Sequence, residues 1–229
     1  MREIVFDTET TGLSPAGGDR MVEIGCVEIY NRVETGRHFH AYFNPDRDMP
    51  VEAEAVHGIT TTFLSDKPRF AEKVDELLDF IEDSPLVAHN ASFDFGFLNS
   101  ELELCGRPGV CMSRMVDTLA LARSKHPGAK HSLDALCMRF GIDRSQRIKH
   151  GALLDAQLLA QVYVELTGGR QIGLGLVADT ASVAVQRSSG PVTVRETRPP
   201  RPHAAAEEEL ERHRAFIAKL VNPLWARFA

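Results

Sequence analysis

Residues 2–13 read REIVFDTETTGL, and the fold turns on this stretch. REIVFD, at 2–7, has the short apolar centre of a buried strand. The following ETTGLSPAGGDR is a loop by its Gly, Pro and Ser content. Asp7 and Glu9 therefore stand one residue apart at a strand end, where period two turns both side chains to one face. Carboxylates held that close repel each other unless a cation lies between them. Taken alone, a D-x-E pair reads as two solvated acids at the end of a strand.

Outward from this strand the pattern alternates. MVEIGCVEIY at 21–30 and RHFHAYF at 37–43 read as two more strands. FAEKVDELLDFIE at 70–82 sets Phe70, Val74, Leu77, Leu78 and Ile81 on one face of an amphipathic helix. LVAH at 86–89 is a short strand, and SFDFGFLNSELEL at 92–104 a helix with Ser92 as its expected N-cap. MVDTLALAR turns from a strand end into a helix, and 132–140 and 151–166 complete the helices. The order β-β-β-α-β-α-β-α-α implies an α/β domain with a mixed central sheet over residues 1–168.

Composition sets broad limits. The chain has 229 residues, 43% hydrophobic and 25% charged, enough to bury a core without staples. Cys26, Cys105, Cys111 and Cys137 form no C-x-x-C pair and no zinc-ligand spacing, so four reduced thiols in a cytoplasmic protein are expected. The N-terminus runs straight into the first strand, so no signal peptide is expected, and no apolar run approaches the ~18 residues needed to span a membrane. The formal net charge is −6, which does not advertise nucleic-acid binding. Residues 168–229 carry 9 Lys and Arg against 6 Asp and Glu, leaving 17 against 26 for the first 167. An acidic domain can still bind a polyanion through divalent cations held on its carboxylates.

Three further residues bear on that idea. Asp94, in HNASFDFGFL, is either an acid favoured at a helix N-terminus or a partly buried carboxylate among Phe93, Phe95 and Phe97. In the latter case it needs a partner, and no Lys or Arg is near in sequence. His150 and Asp155 form H-x-x-x-x-D at the entrance of the last core helix. They read as a cap His with a surface Asp, or, given Leu153, Leu154, Leu158 and Leu159, as an inward-facing pair. Lys149 reads as a solvated surface charge.

Taken in order, FDTETTGL, EAVHGI, HNASFDFGFL and HGALLDAQ resemble the blocks of the DEDDh family of 3′–5′ exonucleases, over about Ile4 to Leu166. The resemblance implies a ribonuclease H-like fold and two-metal-ion phosphodiester hydrolysis with Mg²⁺ or Mn²⁺, hard cations suited to carboxylate ligands. It implies that Asp7 bridges both metals, that Glu9 and Asp155 complete the one holding the attacking water, and that Asp94 supports the other. His150 is implied as general base, and an imidazole with an ordinary pKa of about 6.5 suits that task. Glu52 and His57, in EAEAVHGI, resemble family positions touching the terminal nucleotide, although the segment also reads as a plain polar loop. Thr8 is expected to place its backbone near the terminal sugar. Asn90 and Phe93 are candidates for the strand-end pocket, with Phe93 alternatively a core residue. A single-stranded 3′ end of DNA or RNA is the expected ligand.

Past Gly168 the composition changes. Residues 169–203 read as a flexible linker ending in RPPRPH. Within it, residues 171–176, with Gln171 and Leu174, resemble a sliding-clamp-binding peptide, but the closing aromatic pair is missing. Helical character returns in AAAEEELERHRAFIAKL, and VNPLWARFA offers Leu224, Trp225 and Phe228. Residues 204–229 resemble the C-terminal tail of the DNA polymerase III epsilon-subunit family, which implies a polymerase-binding segment, a proofreading role and a place in a bacterial, nucleoid-associated replisome. The alternatives are a stand-alone exonuclease of RNA processing or DNA repair, and a non-catalytic binding subunit.

Overall fold

The computed structural model describes residues 1–147, 149–169 and 205–220. The chain divides into two units, Met1–Leu176 and Val177–Ala229.

The first unit is built on strand β1, Arg2–Thr10, which takes the centre of a five-stranded sheet. Strands β2 (Met21–Tyr30) and β3 (Val33–Tyr42) extend it antiparallel on one side. Strands β4 (Leu86–Ala88) and β5 (Met115–Asp117) extend it parallel on the other. The mixed sheet expected from the sequence is thus present, in the order β3-β2-β1-β4-β5. Ile4, Val5 and Phe6 are all buried because a central strand is covered on both faces.

Period two sorts the sheet into two cores. Ile4, Phe6, Ile24 and Leu86 face helices α3 (Phe70–Ile81) and α4 (Ser92–Leu104). Val5, Val27, Ile29 and Val87 face α5 (Thr118–Lys125), α6 (Leu133–Phe140) and α7 (Ala152–Leu166). The long α7 crosses β2 at Gly25, where an added Cβ would fall 2.3 Å from the Leu153 backbone. Glycine lets the helix backbone lie directly on the strand. Tyr163, further along α7, donates a 2.7 Å hydrogen bond to Glu3 at the head of β1.

Four local expectations are corrected. β1 runs on through Glu9 and Thr10, which the sequence had placed in the loop, because the β2 partnership continues to Thr10 past an irregularity after Glu9. β3 starts at Val33, four residues early, since a tight connection lets pairing begin at Tyr30–Val33. EAEAVHGI is not a polar loop. Val51–His57 is helix α1, entered from Pro50 and closed by left-handed Gly58, and a one-turn helix α2 (Thr61–Leu64) follows. Ser92 does not cap α4. Ala91 precedes that helix without a side-chain cap, and Asp117 at the end of β5 accepts from the backbone N–H groups of Asn90 (3.1 Å) and Ala91 (3.4 Å) instead. A carboxylate distant in sequence thus satisfies donors that a local hydroxyl would otherwise serve.

In the second unit, Glu207–Ile217 forms helix α8, with Glu207, Glu208 and Glu209 in the first turn where the helix dipole favours acids. The expected linker from residue 170 onward, including Gln171 and Leu174, and the terminal Leu224, Trp225 and Phe228 lie outside the described residues. Among the described residues no helix is long and apolar enough to cross a membrane. The four cysteines are free.

Candidate active site

Alternation along β1 decides what reaches the site. Asp7 and Glu9 share the strand face that carries Val5, the face covered by α7. Thr8 points the other way, and its hydroxyl donates a 2.7 Å hydrogen bond to Asp94 on α4. Asp155 stands in the first turn of α7, two residues beyond the Gly25 crossing. His150 lies just outside the N-cap of that helix, with Nδ1 3.3 Å from Asp155 Oδ2. A cleft of about 260 Å³ is lined by Asp7, Thr8, Glu9, Asp94, His150 and Asp155, together with His89, Phe93, Asp134 and Arg147. The five residues expected to carry the chemistry therefore meet in one place, although the chain between the first and last spans almost 150 positions.

The cluster is electrostatically strained. Glu9, Asp94 and Asp155 are all less than a tenth exposed. Burial, then the charges of Asp94, Glu9, Asp155 and Glu23, raises Asp7 well above the usual carboxylate range. Burial, followed by Glu23, Asp155 and Asp94, pushes Glu9 up to about 8 against a partial offset from Arg147. Burial pushes Asp94 up to about 7, although the Thr8 hydroxyl works in the opposite direction. Carboxyls that resist ionisation for these reasons are stabilised by a hard divalent cation, which prefers oxygen ligands. One oxygen each from Glu9 and Asp155 and one His150 nitrogen lie within 4.8 Å of one another. The donor set fits such a cation.

A second cleft of about 480 Å³ adjoins the first, sharing Thr8, Glu9 and Phe93. Glu52, Ala53, Val56 and His57 of α1 form its other wall. His57 is buried, its Nδ1 accepting from the Ile59 backbone N–H at 3.0 Å. Its Nε2 makes no hydrogen bond of good geometry. Burial lowers the His57 pKa even though the Thr10 backbone favours the charged form. Phe93 packs against the core through Phe97 and also lines both clefts. Asn90 lines neither. It takes a left-handed turn (φ 63°) between β4 and α4, exposed to solvent.

Sequence reasoning missed three site residues. Arg147 grips Asp155 with two hydrogen bonds (2.5 and 2.6 Å), and it also reaches Asp134 at 3.0 Å. Glu23 is 2% exposed, the cross-strand neighbour of Glu9, and bound by His40 Nε2 at 2.7 Å. The register of β1 and β2 was the available signal for Glu23. Only the fold brings Arg147 and Asp134 together, since they lie in different segments.

The site can be set beside known proteins. A family model described as an exonuclease matches residues 4–163. The DNA polymerase III subunit epsilon of Rickettsia felis is 49% identical over 97% of this chain and 98% of that protein. The subunit of the same name from Escherichia coli is 45% identical over 94% of this chain and 92% of its own length. Among solved structures, exonuclease X in complex with 5′ overhanging duplex DNA covers 72% of this chain and 90% of that one, at 27% identity and a TM-score of 0.54. The nuclease domain of 3′hExo, a DEDDh family member, has the same fold, with a TM-score of 0.63 at 17% identity over 72% of this chain and 91% of that domain. The matches cover the β1, α4 and α7 segments that build the cleft, and the chain belongs to the exonuclease family, among the DNA polymerase III epsilon subunits.

Proposed function

We propose that the protein is a 3′–5′ exodeoxyribonuclease that removes mispaired nucleotides from the DNA primer terminus, as the proofreading subunit of a bacterial replicative DNA polymerase. The convergence of Asp7, Glu9, Asp94, Asp155 and His150 on one cleft carries this reading. When bound, two divalent cations, Mg²⁺ or Mn²⁺, supply positive charge beside the attacking and leaving oxygens of an in-line displacement. Asp7 would serve both cations, Glu9 and Asp155 would hold one, and Asp94, steadied by Thr8, would support the other. His150 takes one proton of the attacking water as the P–O3′ bond breaks; the released nucleotide carries off the phosphate with the water's oxygen, and solvent protonates the leaving O3′ to give the new 3′ hydroxyl of the shortened strand.

Thr8, Glu9, Glu52, His57 and Phe93 bind the terminal nucleotide in the second cleft, whose apolar wall suits a base and sugar. Asn90, exposed at the turn between β4 and α4, would touch the strand from outside both clefts. A single-stranded end fits this arrangement, and mispaired termini fray more readily, which gives selectivity before any chemistry. Exonuclease X, whose solved structure holds DNA, supports DNA as the ligand class.

Residues 1–168 form the nuclease domain, 169–203 a linker and 204–229 the segment that binds the polymerase alpha subunit through Leu224, Trp225 and Phe228. Gln171 and Leu174 belong to a sliding-clamp-binding peptide at 171–176. The support for the tail is that the named epsilon subunits match this chain almost end to end. Tethering by two contacts raises the local concentration of the nuclease at the primer end. The protein works in the cytoplasm, at the replisome on the nucleoid.

Digestion of 5′-labelled single-stranded DNA and RNA with Mg²⁺, Mn²⁺ or EDTA, comparing wild type with Asp7→Ala, tests the proposal. A metal-dependent ladder on DNA, shortening from the 3′ end and lost in the variant, is expected. A strong preference for RNA would favour an RNA-trimming enzyme, and cleavage of neither would leave a binding subunit.

A further inference from the structure

Among the described residues, one side-chain cation, Arg147, stands among the site carboxylates. Arg147 is 9% exposed at its side chain, and Asp155 is 4% exposed. The guanidinium takes both oxygens of Asp155, Nε to Oδ1 at 2.5 Å and Nη2 to Oδ2 at 2.6 Å. That is the two-pronged geometry in which arginine binds carboxylate most strongly. Its third nitrogen, Nη1, reaches Asp134 at 3.0 Å, and Asp134 is also held by Arg144 at 2.9 Å. Nη2 further lies 2.8 Å from His150 Nδ1.

Two consequences follow for the reaction. Asp155 shares a ligand cluster with Glu9 and His150. A guanidinium that holds both Asp155 oxygens in a two-pronged grip competes with a divalent cation for that edge of the carboxylate. Arginine also has only donors, so a hydrogen bond from Nη2 makes Nδ1 of His150 the acceptor and puts the ring proton of the neutral imidazole on Nε2. In that tautomer Nε2 has no lone pair to take a proton from water. Release of Arg147 frees the metal ligand and lets Nδ1 donate to Asp155, which returns Nε2 to service as a base.

We propose that Arg147 is an internal counter-ion, a positioning residue that occupies the metal-binding edge of Asp155 and must leave it before a divalent cation is held there. This rests on the metal-dependent reading above. The arginine offsets part of the negative charge of the metal-free cleft, and it couples metal loading to release of the general base. A binding-competent state populated only in part weakens apparent affinity in proportion to that fraction.

The test is Mn²⁺ binding to the full chain without nucleic acid, with free Mn²⁺ read by electron paramagnetic resonance. Arg147→Gln should bind about tenfold more tightly than wild type, as when a closed form holds about nine-tenths of the population. Arg147→Lys should also bind more tightly, by severalfold, because lysine keeps the charge but cannot make the two-pronged grip. An unchanged or weaker affinity in Arg147→Lys would overturn the proposal, since it would reduce Arg147 to a nearby positive charge or a loop fastener. Absence of Mn²⁺ binding in the wild type would instead overturn the metal-dependent reading and this proposal with it.

Discussion

Replacing Glu9 with Gln should make the metal-free protein more stable at alkaline pH while destroying its activity. The folded state holds Glu9 at about 8 against an ordinary value of 4.5, chiefly through burial and then through Glu23, Asp155 and Asp94. A carboxyl whose folded pKa is raised keeps a proton that the unfolded chain has already lost. Stability is therefore full below about 4.5 and is lost as pH rises to about 8. The difference of about 3.5 units, at 1.36 kcal/mol each, gives a ceiling of about 5 kcal/mol. Because Asp7 and Asp94 titrate in the same cluster, the share removed with one residue is smaller. For a domain of this size it corresponds to a rise in Tm on the order of 10 °C at pH 9. Gln resembles protonated Glu, so the two proteins should melt together near pH 5. The assay is thermal unfolding in EDTA from pH 5 to 9. Mn²⁺ added at pH 8 should restore the wild type and leave the variant largely unmoved. A wild-type Tm that stays flat from pH 5 to 9 in EDTA, or a Glu9→Gln protein no more stable than wild type at pH 9, would refute the reasoning.

Other consequences are equally direct. Gly25→Ala puts a methyl 2.3 Å from the Leu153 backbone and should cost about 1–3 kcal/mol in a denaturant titration. Because Asp155 rides on the displaced helix, the same variant should lose on the order of a hundredfold in kcat. Thr8→Val removes the donor to Asp94 and should destabilise the metal-free protein by about 1–3 kcal/mol at pH 8, measured by chemical unfolding. It should also move the titration of Asp94, followed by carbon-13 carboxyl shifts, further upward. His150→Gln should lower kcat by about 10²–10⁴ in single-turnover digestion with little change in DNA affinity, because the half-exposed imidazole supports no core packing.

Much of this was readable along the chain. The period of two in REIVFDTET set Asp7 and Glu9 on one face, and the apolar spacing of 70–82 gave its helix. These properties follow from backbone geometry over a few residues, which is the range at which sequence speaks directly. The two alternatives left open for Asp94 and Asp155, surface or interior, were settled by helices that the sequence could place only in order.

Other features depended on contacts between distant segments. EAEAVHGI passed for a loop because two turns of helix are too short to show a clear periodicity, although Pro50 and Gly58 marked its ends. Ser92 lost its capping role to Asp117, a residue 25 positions away that only the β4–β5 pairing brings near. The elevated pKa values of Asp7, Glu9 and Asp94, and the grip of Arg147 on Asp155, have no counterpart in local spacing. The sequence by itself determined which chemical groups the protein carries and on which face of β1 the first two lie. The tertiary structure alone decided how far they are withdrawn from water and which charges stand against them, because desolvation and Coulomb energy depend on distance in space rather than along the chain.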